Sequence, residues 1–241
     1  MLRSSLALAL LPVLAISSLA CARNVFSPPA LPLPLEAPRT LDNGQAAIQA
    51  SGGTSSSMFG PDLVAGAATV HVGMGRGTEA SLGASVTHLQ GHSSAGTSPD
   101  IISARAGVKK ELWRHHVSAI AGLGGGTDAG GGFVSPDVGV IAGFDNRYAV
   151  PFLSLHAMSS IPVGARQVDV SIDDEQPGTY VGTPKPTWGI GSTVGLRVPI
   201  GNPDSKGVHA GLTGGMTFWK LYSDGHDIGF TGLGGSADVI F

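Results

Sequence analysis

The feature that most constrains the fold of this chain is the alternation of apolar residues with small or polar ones over long stretches. Between positions 193 and 198, valine or leucine occupies every second position, and threonine, glycine or arginine fills the others. Successive side chains of a β-strand point to opposite faces, so a period of two predicts strands with one apolar face. Ten such segments lie near residues 45–51, 65–75, 79–89, 101–110, 115–124, 133–144, 147–159, 188–199, 206–218 and 228–241. No convincing period of 3.6 residues follows position 45, which predicts an all-β fold.

The lengths of these segments and of their connections indicate how the strands are arranged. Most segments hold 9–12 residues, which suits tilted strands that cross a bilayer, whereas soluble strands average about five or six residues. The connections after even-numbered segments are short; those after odd-numbered segments are longer and polar, at 52–62, 91–100, 125–132, 161–187 and 220–227. We therefore predict an antiparallel up-and-down transmembrane β-barrel of about ten strands, with eight or twelve as counting alternatives. An even strand number also predicts both chain termini on the periplasmic side.

The aromatic residues and the end of the chain indicate the same class of protein. Aromatic residues gather at predicted strand ends, with Trp188, Phe218, Trp219, Tyr222 and Phe230 at one rim and Trp113, Phe144, Tyr148 and Phe241 at the other. Two aromatic belts are typical of barrels, because amphipathic rings favour the headgroup level. The last strand alternates and ends on Phe241, which resembles the C-terminal signature of Gram-negative outer-membrane barrels. The resemblance implies recognition by the barrel assembly machinery and a location in the cell outer membrane, in contact with its lipid and lipopolysaccharide.

The N-terminal residues predict export. Arg3 precedes an apolar run at 6–16, which is too short to span a membrane as a helix, so residues 1–20 are predicted to be a signal peptide. The sequence Ser-Leu-Ala-Cys at 18–21 resembles the lipobox of bacterial lipoproteins, and this resemblance implies that Cys21 is acylated and anchors the chain in lipid. Residues 20–22 also fit the small-x-small site of ordinary signal peptidase, which would discard the cysteine. Both alternatives remain open at this point.

A proline-rich stretch follows the predicted signal peptide. Five prolines fall between positions 27 and 39, a density that favours an extended, semi-rigid backbone without internal hydrogen bonds. We therefore predict three parts of the chain: a signal peptide at 1–20, an N-terminal tether at 21–44, and the barrel at 45–241.

If the apolar faces contact lipid, the interior is lined by small residues and a few charged ones. Arg105 and Asp137 fall at similar depth on strands two apart, and Arg197 and Asp238 do the same nearer the periplasmic end. We predict that each pair bridges inside the barrel, because an unpaired charge in a narrow lumen is costly. The functional alternative is a charged constriction that selects solutes.

The sequence offers little sign of catalysis, cofactor binding or nucleic-acid binding. Cys21 is the only cysteine, which excludes an internal disulfide and any metal site built from cysteines. Residues 224–226, Asp-Gly-His, resemble the Asp-x-His pair of the omptin proteases, but the chain has no Asp-x-Asp to face it. A net charge of −3 without clustered lysine or arginine gives no sign of nucleic-acid binding. We expect no catalytic residues, no metal and no cofactor.

These observations favour a non-enzymatic envelope component that is structural or that binds a partner protein of the envelope. Two alternatives remain open. The first is a narrow, porin-like diffusion channel. The second is a soluble periplasmic lipoprotein with a β-sandwich fold, in which the apolar faces would pack between two sheets.

Overall fold

The computed structural model describes residues 26–30, 33–57, 62–90, 100–170, 180–201 and 207–241. The strands in these residues are β1 (Ala46–Ser56), β2 (Asp62–Gly75), β3 (Thr78–Gln90), β4 (Asp100–Trp113), β5 (Val117–Asp128), β6 (Gly131–Gly143), β7 (Val150–Val163), β8 (Val168–Val170), β9 (Tyr180–Gly182), β10 (Thr187–Ile200), β11 (His209–Ser223) and β12 (His226–Ile240). No helix in the part of the chain described has the length and apolar character needed to cross a membrane.

Ten of the strands form a closed antiparallel barrel. Each pairs with its neighbours along the chain, and β8 and β9 form a separate hairpin within the connection from β7 to β10. The barrel closes where β1 pairs with β12, from Ala47 opposite Ile240 to Ser56 opposite Thr231. Closure leaves none of the ten barrel strands with an unpaired edge. The predicted ten-stranded up-and-down barrel is confirmed, and the sandwich alternative is wrong because the apolar faces do not pack between two sheets.

The alternation in the sequence corresponds to the two faces of the barrel wall. Leu82, Ile102 and Val194 point outward and are 64%, 56% and 55% exposed. Ser103, which follows Ile102, and Thr193, which precedes Val194, point inward and are buried. A continuous apolar exterior of this kind is unfavourable in water and favourable in hydrocarbon, since apolar surface gains roughly 25 cal/mol per Å² on leaving water.

The two ends of the barrel differ in their connections. The end where β1 begins and β12 ends is called the terminal rim here, and the opposite end the distal rim. The distal rim carries the connections 57–61, 91–99 and 164–186, whereas the terminal rim includes the two-residue turn Arg76-Gly77. Both residues of this turn have positive φ, as a tight hairpin requires.

Two of the longer connections predicted from the sequence, 125–132 and 220–227, are wrong. Strand β5 continues to Asp128 and β6 begins at Gly131, so 125–132 is mostly wall; β11 and β12 are joined only by Asp224 and Gly225. Asp224 and Gly225 have φ values of 46° and 80°, which suit a two-residue turn. The expected alternation of short and long connections is therefore incomplete, because the terminal rim also carries the connections 144–149 and 201–208.

Two of the aromatic residues predicted for the outer belt point inward. Trp219 and Phe230 lie opposite each other on β11 and β12, at positions of inward parity. Gly191 makes room for the indole, since a Cβ there would lie 2.5 Å from Trp219 Cε3. Trp188 and Tyr222 remain on the exterior near the distal rim and stack with 4.1 Å between ring centroids.

The N-terminal proline-rich stretch lies inside the barrel. We call its described residues, 26–30 and 33–45, the luminal segment. The segment begins beside Lys185 at the distal rim, where Phe26 forms a bridge, and it ends at the terminal rim, where Gly44 donates to the Gly73 carbonyl. The stretch was expected to be a tether between an anchor and the barrel, whereas these residues fill the lumen. The expectation of both termini on one side holds for the two ends of the barrel, since β1 begins and β12 ends at the same rim.

Candidate functional site

The distal end of the lumen holds the luminal segment through hydroxyl groups. The backbone N–H of Ser27 donates to Thr187 Oγ1 at 2.9 Å, and Ser27 Oγ lies 2.8 Å from Ser160 Oγ. Ser160 in turn donates to the Pro28 carbonyl at 2.7 Å. Because Ser27, Ser160 and Thr187 are almost fully buried, these bonds satisfy polar groups that water does not reach.

In the middle of the lumen, glycines of the wall make room for the luminal segment. A Cβ on Gly124 would lie 2.4 Å from the Cβ of Ala30. Leu35 is 2% exposed, and a Cβ on Gly234 would lie 3.0 Å from its Cδ1. Any larger residue at Gly124 or Gly234 would therefore collide with the segment, so these glycines belong to the packing of the segment against the wall.

At the terminal end, the segment is held by acids and hydroxyls of three strands. Thr40 donates twice to Glu111 Oε1, from its N–H at 3.0 Å and from its hydroxyl at 3.1 Å. The N–H of Leu41 donates to Glu79 Oε2 at 2.9 Å. Ser118 donates to the Pro38 carbonyl. The luminal segment is thus bonded to the wall at both ends of the barrel.

A buried charged cluster joins the segment to the wall. Lys109 Nζ lies 3.1 Å from Glu79 Oε1 on β3 and 3.6 Å from Glu36 Oε2 on the luminal segment. His71 Nδ1 lies 2.8 Å from the same Glu79 oxygen. The four side chains are between 4% and 19% exposed, so their mutual attraction is weakly screened. One ammonium group therefore lies between two carboxylates, one of which, Glu36, belongs to the luminal segment.

The four charged residues predicted from the sequence are brought together as two ion pairs. Arg105 Nη2 lies 2.7 Å from Asp137 Oδ1, and a second bond from Nε to Oδ2 makes the pair bidentate. Arg197 Nη2 lies 2.7 Å from Asp238 Oδ2. Each pair is less than one-sixth exposed. Bidentate guanidinium–carboxylate pairs are among the stronger and more directional hydrogen-bonded contacts.

Both pairs span an intervening strand at a glycine. Gly122 on β5 lies opposite Asp137, and a Cβ there would lie 2.4 Å from Arg105 Nη2. Gly211 on β11 lies opposite Asp238, and a Cβ there would lie 2.5 Å from Arg197 Nη2. The arginine side chain therefore lies flat along the wall, over the glycine, and reaches the acid two strands away.

We expect Arg105→Ala to destabilise the barrel by about 3 kcal/mol, because Asp137 would remain buried without its partner. Arg105→Ala/Asp137→Ala should recover much of this loss, since neither charge is then left alone. Urea unfolding in detergent micelles, followed by the gel mobility of unheated samples, measures both variants. A solute-selecting constriction would instead give a changed conductance at unchanged stability, and that outcome would contradict the structural role of the pair.

Two small cavities lie beside the described residues of the luminal segment. A cavity of about 80 Å³ near the terminal end is lined by Glu36, His71 and Arg197 among others, and one of about 50 Å³ lies near Leu33 and Arg105. A water molecule occupies roughly 30 Å³ of liquid. These spaces suit a few waters and are too small for an organic solute.

The structure does not arrange the candidate catalytic residues as a protease site. In the turn at the distal rim, His226 Nδ1 lies 3.0 Å from the backbone carbonyl of Asp224, while Asp227 pairs with Lys220 at 3.0 Å. Among the described residues, no group of three or more histidine, cysteine or acidic side chains is placed to hold a metal ion.

The remaining predicted site residues lie at the two ends of the chain. Cys21 and the predicted signal peptide fall outside the described residues, so acylation stays a prediction. Phe241 extends the pairing of β12 with β1, since its N–H donates to the Ala46 carbonyl at 2.9 Å. Its side chain is 54% exposed on the exterior. Its recognition by assembly machinery also stays a prediction.

Sequence reasoning missed the luminal segment and the cluster around Lys109. The alternation does place Lys109, Glu79 and His71 on the inward face of their strands. Their common partner could not be found, because Glu36 lies in a stretch without a period or a strand register. A proline-rich segment has no regular ladder of internal hydrogen bonds. The bonds that hold it to the wall, such as those of Thr40 and Leu41, go to residues distant in sequence.

No protein-family model and no curated protein matches this sequence. Among solved structures, the chain is similar to neisserial surface protein A (NspA), at 11% identity and a TM-score of 0.38, over 81% of this chain and 95% of that one. It is also similar to the N-terminal β-barrel domain of OprF from Pseudomonas aeruginosa, at 11% identity and a TM-score of 0.31, over 82% of this chain and 99% of that one. A third similar structure is the outer membrane protease OmpT from Escherichia coli, at 9% identity and a TM-score of 0.38, over 84% of this chain and 97% of that one.

Proposed function

We propose that this chain is a non-enzymatic component of the Gram-negative outer membrane, a barrel with a closed lumen that is structural or binds a partner protein of the envelope. The observation that carries the proposal is the luminal segment, which is bonded to Thr187 at the distal end and to Glu79 at the terminal end. A lumen filled along its length offers no path to solutes. The exterior and the distal rim are the surfaces left for lipid and for partners.

The exterior supports the membrane location. Its apolar side chains are solvent-exposed on all ten strands, as in Leu82 and Leu155, which suits contact with hydrocarbon. Trp188 and Tyr222 lie on the exterior near the distal rim, whereas Trp113 and Tyr148 are exposed near the terminal rim. Aromatic rings at two levels separated by an aliphatic band match the two headgroup regions of a bilayer.

The partners that this location implies are lipid, lipopolysaccharide and, at Phe241, the barrel assembly machinery. The distal rim is acidic and carries Asp62, Asp100, Asp128, Asp224 and Asp227. Carboxylates near the headgroups are suited to share the divalent cations that bridge lipopolysaccharide. Some of these acids already have protein partners, since Asp100 lies 2.6 Å from His88 and Asp227 pairs with Lys220.

Recordings in planar bilayers test the closed lumen. We expect the purified full chain to insert without stepwise conductance, because the spaces beside the luminal segment admit only a few waters. Insertion is checked independently by co-flotation of the protein with lipid vesicles. Reproducible single-channel steps from protein that has inserted would overturn the closed-lumen proposal and favour the alternative, a narrow diffusion channel.

A further inference from the structure

The direction of the luminal segment has a consequence for the side of the membrane on which the N-terminal part of the chain lies. Along the chain, the contacts run from the distal rim to the terminal rim: Ser27 meets Ser160 and Thr187, and Leu41 meets Glu79. Residues before Phe26 therefore join the barrel at its distal mouth, although β1 itself starts at the terminal rim.

We infer that the exported chain presents its N-terminal end on the cell exterior, having passed through its own barrel. The inference rests on the proposed outer-membrane location, with the terminal rim toward the periplasm. Short connections typically face the periplasm in such barrels and longer ones face the exterior. The two longest connections, 91–99 and 164–186, join strand ends at the distal rim, whereas the longest at the terminal rim is 201–208.

The same geometry fixes where a lipid on Cys21 would lie. Cys21 precedes Phe26 by five residues, and five residues span at most about 18 Å when fully extended. The apolar band of such a barrel is about 25 Å tall. A chain of this length cannot return from the distal mouth to the terminal rim. If Cys21 is acylated, its acyl chains therefore enter the outer leaflet and not the periplasmic one.

The contacts of the luminal segment explain how this arrangement is held. Ser27 and Pro28 are bonded to β7 and β10 at the distal mouth, and Glu36 is paired with Lys109 lower in the lumen. Withdrawal of the segment toward the periplasm would break the bonds of the buried Ser160 hydroxyl to Ser27 and Pro28 and would separate Glu36 from Lys109, which is unfavourable. The folded barrel thus holds the N-terminal end at the distal mouth.

Labelling of single cysteines in intact cells tests the inference. The variants are Phe26→Cys at the entry of the luminal segment, Arg166→Cys in an exposed distal connection, and Arg147→Cys in an exposed terminal connection. A maleimide that cannot cross the outer membrane is the probe, and the unmodified chain reports any reaction of Cys21. We expect Phe26→Cys to be labelled like Arg166→Cys in intact cells, and Arg147→Cys only after permeabilisation.

The other outcomes are distinct. Labelling of Phe26→Cys only after permeabilisation, while Arg166→Cys is labelled in intact cells, would overturn the inference and leave the proposed location standing. Arg166→Cys that stays unlabelled in intact cells would overturn both. Because Phe26 is half-buried, a second variant carries a specific protease site inserted directly before it. External protease should cut this variant in intact cells, and the mass of the N-terminal fragment shows whether Cys21 is acylated.

Discussion

Deletion of residues 27–41 is expected to convert a closed barrel into a conducting one. These residues supply the side chains and carbonyls that fill the lumen between Thr187 and Glu79, and the wall strands pair with one another without them. Removing the segment leaves a lumen lined by glycine, serine, threonine, the two arginine–aspartate pairs and the charges of Glu79 and Lys109, with one apolar cluster of Ile120, Ile141 and Phe152. Most of this lining is a polar path for water and ions. Planar bilayer recordings should then show stepwise openings that the full chain lacks.

A pair of glycine substitutions tests the same idea without a deletion. Gly234 faces the lumen and has Leu35 Cδ1 at 3.0 Å from the position of an added Cβ, whereas Gly214 faces outward and has nothing nearer than 4.0 Å. We expect Gly234→Phe to displace the luminal segment and to raise conductance in the same direction as the deletion. Gly214→Phe adds the same ring on the lipid side and should leave the lumen closed.

The deletion can also fail in an informative way. A variant without residues 27–41 that still shows the gel mobility of a folded barrel, but that does not conduct, would mean that the wall closes its own lumen. The barrier would then be the ion pairs of Arg105 and Arg197, and the luminal segment would have only a packing role. A variant that does not fold at all is distinguished by its gel mobility, and Gly234→Phe then carries the test.

Much of the barrel could be predicted from the sequence because the period of two is a local signal. One residue out of two faces lipid, so residues such as Ile102 and Val194 are apolar wherever the wall meets hydrocarbon. The same parity places Arg105, Asp137, Arg197 and Asp238 inside, and a narrow lumen leaves an inward charge few partners. Strand number and inward charges were therefore accessible from spacing alone.

The lumen filling was not accessible, because it depends on distant residues. An extended proline-rich segment looks the same in sequence whether it lies in solvent as a tether or fills a barrel.

The glycines of β5 led to a wrong prediction for a related reason, since their small size reflects contacts with distant residues. The stretch 125–132 was predicted to be a loop, but Gly126 lies in the wall, where a Cβ would meet the Ile102 carbonyl oxygen at 2.1 Å. Only the short turn at Asp224-Gly225 could have been found, since Asp-Gly is a frequent two-residue hairpin turn.

Replacement of Lys109 by methionine is expected to cause the largest loss of stability of any single substitution considered for this chain. Lys109 Nζ faces Glu79 at 3.1 Å and Glu36 at 3.6 Å, and its side chain is 9% exposed. Methionine keeps much of the volume but removes the charge, so two buried carboxylates lose their common partner. Breaking a buried ion pair costs roughly 3–5 kcal/mol. Because Lys109 is paired with two acids, we expect the loss in Lys109→Met to lie at the upper end of this range.

Lys110→Met is the matched control, because Lys110 is the next residue on β4 and points to the exterior, where it bonds Thr78 at 3.0 Å. Exposed contacts of this kind are worth less than about 1 kcal/mol. Urea midpoints measured by gel mobility compare the two variants directly. Adding Glu79→Gln to Lys109→Met removes one of the two carboxylates that Lys109 paired with and should recover part of the loss, as in a double-mutant cycle. Equal midpoints for Lys109→Met and Lys110→Met would show that the cluster does not fasten the luminal segment to the wall.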